Sequence, residues 1–277
     1  MFKLINADIL KADFSDVKRP NLIVTSPPYN VGIEYDGHVD TMTYEQYLVW
    51  CKQWLTRMFE LLDDNGRICI NIPFTITPIH ENGRKKGQRK KKGVEDINYP
   101  ILADYTRIAI EVGFRYWRTL IWDKSHSNKT CWGSWRSASA PFMRDPSEAI
   151  LVFHKTDWKR KDKGISTITG PEFMSWTKNV WKIHPETKSK HPAAFPAELP
   201  ERCIKLFSYL NDTIFDPFMG SGTTGMEAVR LGRNFVGVEM SADYYTDAEV
   251  RISQTKFQTD ITNTFNPEPK PGINEAW

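Results

Sequence analysis

Residues 213–225 read TIFDPFMGSGTTG, and this stretch decides the fold class. It begins with a short apolar run, which is typical of a buried strand, and then enters a turn of closely spaced glycines. Gly220, Gly222 and Gly225 fit the pattern G-x-G-x-x-G, which places a tight turn between a strand and the start of a helix. Because glycine lets the backbone approach a ligand closely, the stretch predicts a nucleotide-cofactor loop.

Strands and helices alternate on both sides of this loop. Apolar runs predict strands at residues 3–8, 22–25, 67–72, 115–122, 148–154 and 234–239, and helical spacing predicts helices at 43–62, 99–112, 200–210 and 243–257. Thr43 is expected to cap the first of these helices. Such alternation is typical of an α/β sheet with a largely parallel core and helices packed against it.

Two carboxylates flank the glycine turn. Glu239 ends a predicted strand roughly 20 residues after the turn, where it can accept both hydroxyl groups of a ribose. This much fits NAD as well as S-adenosylmethionine. Asp216 ends the preceding strand and favours S-adenosylmethionine, because a carboxylate beside a pyrophosphate would repel it. A strand–helix turn that binds no ligand needs neither carboxylate.

A second loop follows a strand near the N-terminus, where residues 21–30 read NLIVTSPPYN. The exocyclic amino nitrogen of a nucleobase is a poor nucleophile, and fixed acceptors at its hydrogens stabilise the positive charge that develops on it. Ser26 Oγ and the Pro27 carbonyl are such acceptors, prolines fix the backbone, and Tyr29 offers a flat face for the base. Asn30 is expected to brace the loop. Taken alone, the stretch also fits a proline-rich turn.

Together, the Ser-Pro-Pro-Tyr run at 26–29 and the Asp-Pro-Phe-Met-Gly-Ser-Gly run at 216–222 resemble the catalytic and cofactor loops of the DNA amino-methyltransferases. The catalytic loop comes first along the chain, as in the β arrangement of that family. The resemblance implies a Rossmann-like, S-adenosylmethionine-dependent methyltransferase sheet with helices on both faces and a small target-recognition insertion. It implies methylation of cytosine N4, which usually goes with Ser-Pro-Pro-Tyr; the alternative is adenine N6. The target base must be flipped out of the duplex.

The resemblance also assigns individual residues. It gives catalysis to Ser26, Pro27, Pro28 and Tyr29. It gives S-adenosylmethionine binding to Asp8, Asp216, Phe218, Gly220, Ser221, Gly222, Thr223, Glu239 and Phe195. Phe195 lies in residues 191–196, which resemble the segment that closes over the methionine end of the cofactor. Asp8 ends the first strand, where the family contacts the adenine amino group, and it fits a turn cap equally well.

Two basic stretches interrupt a chain whose formal net charge is only +3. They are residues 84–92, flanked by glycines, and residues 155–163, which contain a tryptophan. Such clusters suit the phosphates of duplex DNA, although a lone charge run also fits a solvated loop. We expect DNA contacts from Arg84, Lys85, Lys86, Arg89, Lys90, Lys91, Lys92, Arg136, Lys159 and Arg160. Arg136, Arg144, Lys178 and Trp181 are candidates for base readout, but Trp181 fits a core position better.

Four parts are expected along the chain. Residues 1–154 form the catalytic half of the methyltransferase domain, with a basic insertion at 78–98 and a polar insertion at 123–146. Residues 155–190 form a target-recognition region, residues 191–260 the cofactor-binding half, and residues 261–277 a tail. Insertions that exceed ordinary loop lengths are often functional.

Composition excludes other classes of protein. With 277 residues, 40% of them hydrophobic, the chain can bury one large core and a small accessory region. No apolar run approaches the roughly 20 residues that span a bilayer, and the N-terminus lacks a signal-peptide core. The four scattered cysteines argue against a zinc site and a disulfide framework, so no metal is expected. We expect a cytoplasmic protein of a bacterium or archaeon that acts at the nucleoid.

Partners and competing functions follow from the same motifs. The resemblance allows a homodimer and a cognate restriction endonuclease in a restriction-modification system. An NAD-dependent Rossmann oxidoreductase is an alternative, but it gives no role to residues 26–30. A nucleic-acid-binding module with a decayed cofactor site is a third possibility, which the presence of Asp216, Glu239 and an intact catalytic loop opposes.

Overall fold

The computed structural model describes residues 1–31, 34–35, 38–39, 42–78, 97–124, 134, 136–141, 143, 145–186 and 195–255. Its strands are β1 (Phe2–Asn6), β2 (Leu22–Thr25), β3 (Glu34–Tyr35), β4 (His38–Val39), β5 (Arg67–Ile72), β6 (Arg115–Asp123), β7 (Ser147–His154), β8 (Val180–Lys182), β9 (Thr213–Asp216) and β10 (Asn234–Glu239). Its helices are α1 (Tyr44–Leu61), α2 (Ile101–Val112), α3 (Gly170–Trp176), α4 (Glu198–Phe207), α5 (Thr223–Arg230) and α6 (Ala242–Ser253).

A mixed sheet of eight strands runs in the order β1-β10-β9-β2-β5-β7-β6-β8. The first five strands in that order are parallel, whereas β7 is antiparallel to both β5 and β6. The carboxyl ends of the five parallel strands therefore meet at one edge, where ligands bind in open α/β sheets. Because β7 runs the other way, its first residues lie at this same edge.

Apolar layers on both faces join the sheet to its helices. Along β2, Ile23 packs in the layer of α1 and α2, whereas Leu22 and Val24 pack in the layer of α4, α5 and α6. Trp54 of α1 and Phe235 of β10 are among the largest buried side chains of the two layers. The α/β sheet with helices on both faces is therefore confirmed.

Most predicted boundaries agree closely with the structure. The strands β2, β5 and β10 have the predicted bounds, and Thr43 caps α1 through a capping box. Helix α4 begins before the predicted Pro200, because proline is accepted in the first turn of a helix. Helix α6 ends at Ser253, and the tail predicted for 261–277 lies outside the described residues.

The described part of the predicted recognition region, residues 155–186, includes a strand that extends the sheet. Strand β8 pairs with β6, and α3 packs against α4. Trp181, in the middle of β8, is fully buried, and its Nε1 donates to the Trp176 carbonyl (2.9 Å). Trp181 is therefore a core residue and not a base-reading one. A strand of three residues is too short for a sequence pattern to predict.

Candidate active site

The carboxyl edge of the parallel strands holds a cavity of about 320 Å³. Two loops matter most in its walls: the catalytic loop (residues 26–30) and the glycine loop (residues 217–222). They are far apart in sequence, but β2 and β9 are neighbours in the sheet, so the loops that follow them share one opening. The predicted site residues that line the cavity are Ser26, Pro27, Pro28, Tyr29, Asp8, Phe195, Phe218, Gly220, Ser221, Thr223 and Glu239.

Ser26 and Tyr29 are joined by a short hydrogen bond in the cavity wall. Ser26 Oγ lies 2.6 Å from Tyr29 Oη. The Tyr29 hydroxyl also donates to the main-chain carbonyl of Asn71 (3.1 Å), at the end of the neighbouring strand β5. The loop thus presents a hydroxyl and an aromatic ring side by side, which suits a pair that orients an amino group and packs on a base.

Two further contacts fix the backbone of the catalytic loop. The Tyr47 hydroxyl, on α1, donates to the Pro28 carbonyl (2.6 Å). Since the Pro28 carbonyl has this partner, the prediction of a carbonyl acceptor for the substrate stays with Pro27. Asn30 has φ 56°, is 1% exposed, and donates from Nδ2 to the Met42 carbonyl (2.8 Å). The predicted bracing role of Asn30 matches this contact.

Asp216 does not line the cavity, contrary to the prediction that it contacts the cofactor. It is 1% exposed. Its carboxylate accepts hydrogen bonds from Thr25 Oγ1 (2.8 Å), Thr224 Oγ1 (2.7 Å) and the Phe218 N–H (3.1 Å). Burial raises the pKa of this carboxyl to about 6. Asp216 therefore ties the end of β2, the glycine loop and the start of α5 together, which is a positioning role.

Glu239 and two left-handed glycines shape the glycine loop. Gly220 and Gly222 have φ of 50° and 83°, a region that glycine enters without strain. Glu239 Oε2 accepts from the Gly220 N–H (2.9 Å), and Oε1 accepts from the Ser241 N–H (2.8 Å). Burial raises the pKa of Glu239. A carboxylate offers about four acceptor positions, so Glu239 keeps capacity for the hydroxyl groups of a ligand at the cavity wall.

The remaining cavity wall is mostly apolar and aromatic, and Asp8 is one of its polar members. Phe218 packs against Trp50 and Trp54 of α1, with ring centroids 5.5 Å and 5.2 Å away. Asp8 lines the cavity and also accepts from the Leu10 N–H (2.9 Å), so its capping role is real and its side chain still borders the ligand space. Trp50 belongs to the helix predicted at 43–62 and also lines the cavity. Its half-buried position at the cavity depends on tertiary packing.

The residues predicted to contact DNA divide into three groups. The seven basic residues at 84–92 lie outside the described residues. Arg136 and Lys159 are exposed, as a phosphate contact requires. Arg160 is different, because its side chain is 4% exposed and pairs with Asp162 and Asp212. Asp212 precedes β9, at the opposite end of that strand from the cavity. The prediction for Arg160 is therefore corrected to a structural ion pair.

Within the described residues, no helix is long and apolar enough to cross a membrane. The same residues contain no group of three or more His, Cys, Asp or Glu side chains that could hold a metal ion. Cys51, Cys69 and Cys203 are buried free thiols.

Comparisons with known proteins extend over most of the chain. The model of a protein family described as DNA methylase (N6_N4_Mtase) matches residues 21–250. The Type II methyltransferase M.MjaVI of Methanocaldococcus jannaschii is 42% identical over 193 residues, which cover 68% of this chain and 91% of that protein.

Solved structures are similar as well. TTHA0409 of Thermus thermophilus, assigned as a DNA modification methylase and solved in complex with S-adenosyl-L-methionine, superposes with a TM-score of 0.71 at 26% identity. That match covers 92% of this chain and 94% of TTHA0409. The cytosine-N4-specific PvuII DNA methyltransferase superposes with a TM-score of 0.64 over 95% of this chain and 90% of its own, but at 22% identity the likeness is one of fold alone.

Proposed function

Because this chain belongs to the N6/N4 family of DNA methylases, we propose that it methylates the exocyclic N4 of cytosine in duplex DNA. S-adenosylmethionine is the methyl donor, and the target base is flipped out of the helix to be reached. The observation that supports this proposal most is the shared cavity: the hydroxyl and ring of Ser26 and Tyr29 line the same space as the glycine loop and Glu239.

The cavity suits S-adenosylmethionine. Gly220 brings its backbone to the ligand space. Gly222, also predicted to bind the cofactor, does not line the cavity, and a side chain there would meet Ala248 and Ile252 of α6 instead. Glu239 borders that space and retains acceptor positions for a ribose diol. Phe218 supplies an apolar surface and Asp8 an acceptor for the adenine end. Phe195 lies where residues 191–196 are expected to cover the methionine end.

The chain's own groups prepare the target amino group for reaction. S-adenosylmethionine supplies an electrophilic methyl group. Ser26 Oγ and the Pro27 carbonyl accept hydrogen bonds from the two amino hydrogens and so turn the nitrogen lone pair away from the ring. Positive charge develops on that nitrogen as it reacts, and acceptors already in place stabilise it without reorganisation. The Tyr29 ring packs on the flipped base, and no covalent intermediate is needed.

Ser26 favours cytosine over adenine mainly through the resemblance to Ser-Pro-Pro-Tyr enzymes. A neutral hydroxyl is a weaker acceptor than the aspartate usual for adenine enzymes, because charge-assisted hydrogen bonds are roughly twice as strong. Both bases carry an amino group, so N6 of adenine is the second candidate for the same site.

Binding to DNA would use the basic surface. Arg136 and Lys159 are exposed, and the run at 84–92 supplies seven further charges. If these seven side chains bind phosphates, neutralising them should flatten the salt dependence of binding by about one unit for each phosphate interaction removed. A slope equal to that of the wild type would mean that the run is a solvated loop.

We further propose a restriction-modification role with a cognate endonuclease and action as a homodimer on nucleoid DNA.

The proposal is tested by incubating the protein with tritiated S-adenosylmethionine and duplex DNA and then separating the nucleosides. We expect the label in N4-methyl-2′-deoxycytidine. Label in N6-methyl-2′-deoxyadenosine would change the assigned target base to adenine and leave the methyl-transfer reaction standing. A protein that transfers no label to DNA, yet reduces or oxidises a substrate with NAD, would overturn the proposed function.

A further inference from the structure

Tyr29 carries a hydroxyl that packing on a base does not require. Phenylalanine would offer the same flat face, yet the Tyr29 hydroxyl makes three hydrogen-bond contacts with described residues. It lies 2.6 Å from Ser26 Oγ, 3.1 Å from the main-chain carbonyl of Asn71 and 3.1 Å from Asn71 Nδ2. The hydroxyl therefore links the residue that faces the substrate to a buried residue of β5.

Glu148 fixes which end of the Asn71 carboxamide meets Tyr29. Asn71 Nδ2 donates to Glu148 Oε2 (2.6 Å), and a carboxylate only accepts, so the nitrogen must lie on that side. Lys124 forms an ion pair with the other carboxylate oxygen of Glu148. Asn71 is 2% exposed, and its Oδ1 has no partner among the described residues. The carboxamide thus uses both N–H groups, one on Glu148 and one on Tyr29.

This arrangement determines the direction of the bond between Ser26 and Tyr29. A tyrosine hydroxyl has one hydrogen and can accept through its lone pairs. The main-chain carbonyl of Asn71 can only accept, so it takes the Tyr29 hydrogen. Asn71 Nδ2 can only donate, so it occupies a Tyr29 lone pair. The assignment that makes all three contacts hydrogen bonds therefore has Ser26 donating to Tyr29.

We infer that the Tyr29 hydroxyl, held by Asn71 and Glu148, keeps Ser26 as an acceptor toward the target base. With its hydrogen directed at Tyr29, Ser26 Oγ presents only lone pairs to the cavity. Ser26 Oγ then binds an amino group of the base. It repels a carbonyl at the same ring position, because the carbonyl oxygen and Ser26 Oγ are both acceptors. Asn71 and Glu148 are positioning residues in this arrangement. The inference rests on the proposed function, since it concerns the base that this site receives.

The test compares a target amino group with a carbonyl of the same size. The probes are two duplexes carrying the sequence that the wild-type enzyme methylates, with cytosine or uracil at the target position; hypoxanthine replaces uracil if the target is adenine. Affinities for both duplexes are measured for the wild type and for Tyr29→Phe, which keeps the ring. We expect the preference for the amino-bearing duplex to fall about tenfold in Tyr29→Phe, because Ser26 can then donate as well as accept. Cofactor affinity should stay unchanged.

Tyr47→Phe is the matched control, because it removes a hydroxyl that holds the same loop at Pro28 but does not touch Ser26. It can lower the rate, but the preference between the two duplexes should stay at the wild-type value. Ser26→Ala is the second variant and should lose the preference to the same extent as Tyr29→Phe. An unchanged preference in Tyr29→Phe or in Ser26→Ala, or an equal loss in Tyr47→Phe, overturns the inference and leaves the proposed function standing. A wild-type protein that methylates no DNA overturns both.

Discussion

The catalytic loop is fixed by side chains of distant elements, whereas the glycine loop is fixed by carboxylates at the ends of two adjacent strands. Tyr47 of α1 and Asn71 of β5 hold the catalytic loop. Asp216 and Glu239 hold the glycine loop by accepting from its own N–H groups at Phe218 and Gly220. One loop therefore depends on tertiary packing for its geometry, and the other is largely determined by its flanking strands.

This difference separates groups that act on a ligand from groups already committed to the fold. Ser26 and Glu239 both line the cavity, and Glu239 retains acceptor positions there. Asp216 has three donors from the protein and is buried. Substituting Ser26 or Glu239 should therefore reduce methylation or cofactor binding, whereas substituting Asp216 should change the free energy of unfolding.

The largest effect is expected for Ser26→Ala. Loss of one preorganised acceptor typically slows a reaction by roughly a hundredfold or more, because the charge that develops on the amino nitrogen loses a partner. The single-turnover methylation rate should fall by that factor, while calorimetric titration gives an S-adenosylmethionine affinity close to that of the wild type. A variant that methylates at the wild-type rate would show that the catalytic loop lies elsewhere.

Asp216→Asn should change stability in a pH-dependent way. The folded state raises the pKa of Asp216 from 3.8 to about 6, so it binds this proton more tightly than the unfolded chain does. The group then stabilises the fold below about pH 4, and that contribution is lost as the pH rises through about 6. Relative to the variant, the wild type should gain on the order of 2–3 kcal/mol in free energy of unfolding between pH 7 and pH 4.

Denaturant melts of both proteins across this pH range measure the difference. Asp247→Asn, which removes an exposed carboxylate of α6 and leaves Asp216 in place, is the control and should keep the pH dependence of the wild type. Equal pH dependence in the wild type and Asp216→Asn would contradict the buried role of Asp216. A complete loss of S-adenosylmethionine binding in a folded Asp216→Asn would restore the direct contact that the sequence suggested.

Gly222→Ala tests the backbone of the glycine loop and should cost about 1–2 kcal/mol in stability. Its φ of 83° disfavours a side chain, and a Cβ there would lie 3.0 Å from the Ala248 Cβ. Gly170→Ala is the control, because a Cβ at Gly170 meets nothing within 4 Å. Urea unfolding that finds the two variants equally stable would mean that the glycine loop adopts another conformation.

The smallest effect is expected at Lys159, and a contrast with Arg160 sharpens the distinction between available and committed groups. Lys159→Gln should lower the salt slope of DNA binding by about one unit if the exposed amine contacts a phosphate. Arg160→Gln should leave that slope unchanged and destabilise the fold, because it leaves Asp162 and Asp212 without their partner. Binding titrations at several salt concentrations distinguish the two, and a slope change in Arg160→Gln alone would reverse the assignment.

The same contrast explains what could be predicted from the sequence. The strand, turn and helix around Gly220 and Gly222 are consecutive in sequence. Their conformation and the position of the glycine loop at the edge of the sheet therefore follow from the motif. The pairing of β8 with β6 was not predictable, since three residues carry no periodic signal. The roles of Asn71 and Glu148 were missed as well, because Glu148 reaches Asn71 only once β7 has paired with β5, and Asn71 meets Tyr29 only in the folded sheet.

The burial of Asp216 was not predicted, for a related reason. Sequence spacing places a carboxylate beside the cofactor loop, but it does not tell whether nearby hydroxyl groups will occupy it. Thr25 lies in a different strand, and only the pairing of β2 with β9 brings it to Asp216. Satisfying the hydrogen bonds of a buried group is a tertiary property, and motif spacing does not encode it.

In the proposed reaction, one cavity holds both the methyl donor and the base whose amino group Ser26 orients. The most direct test gives the wild type and Ser26→Ala S-adenosylmethionine with a deuterated methyl group, together with duplex DNA, and analyses the digested nucleosides by mass spectrometry. We expect deuterated N4-methylcytosine from the wild type and at most about one hundredth as much from Ser26→Ala at the same time point. Equal amounts of labelled base from the two proteins would contradict the claim.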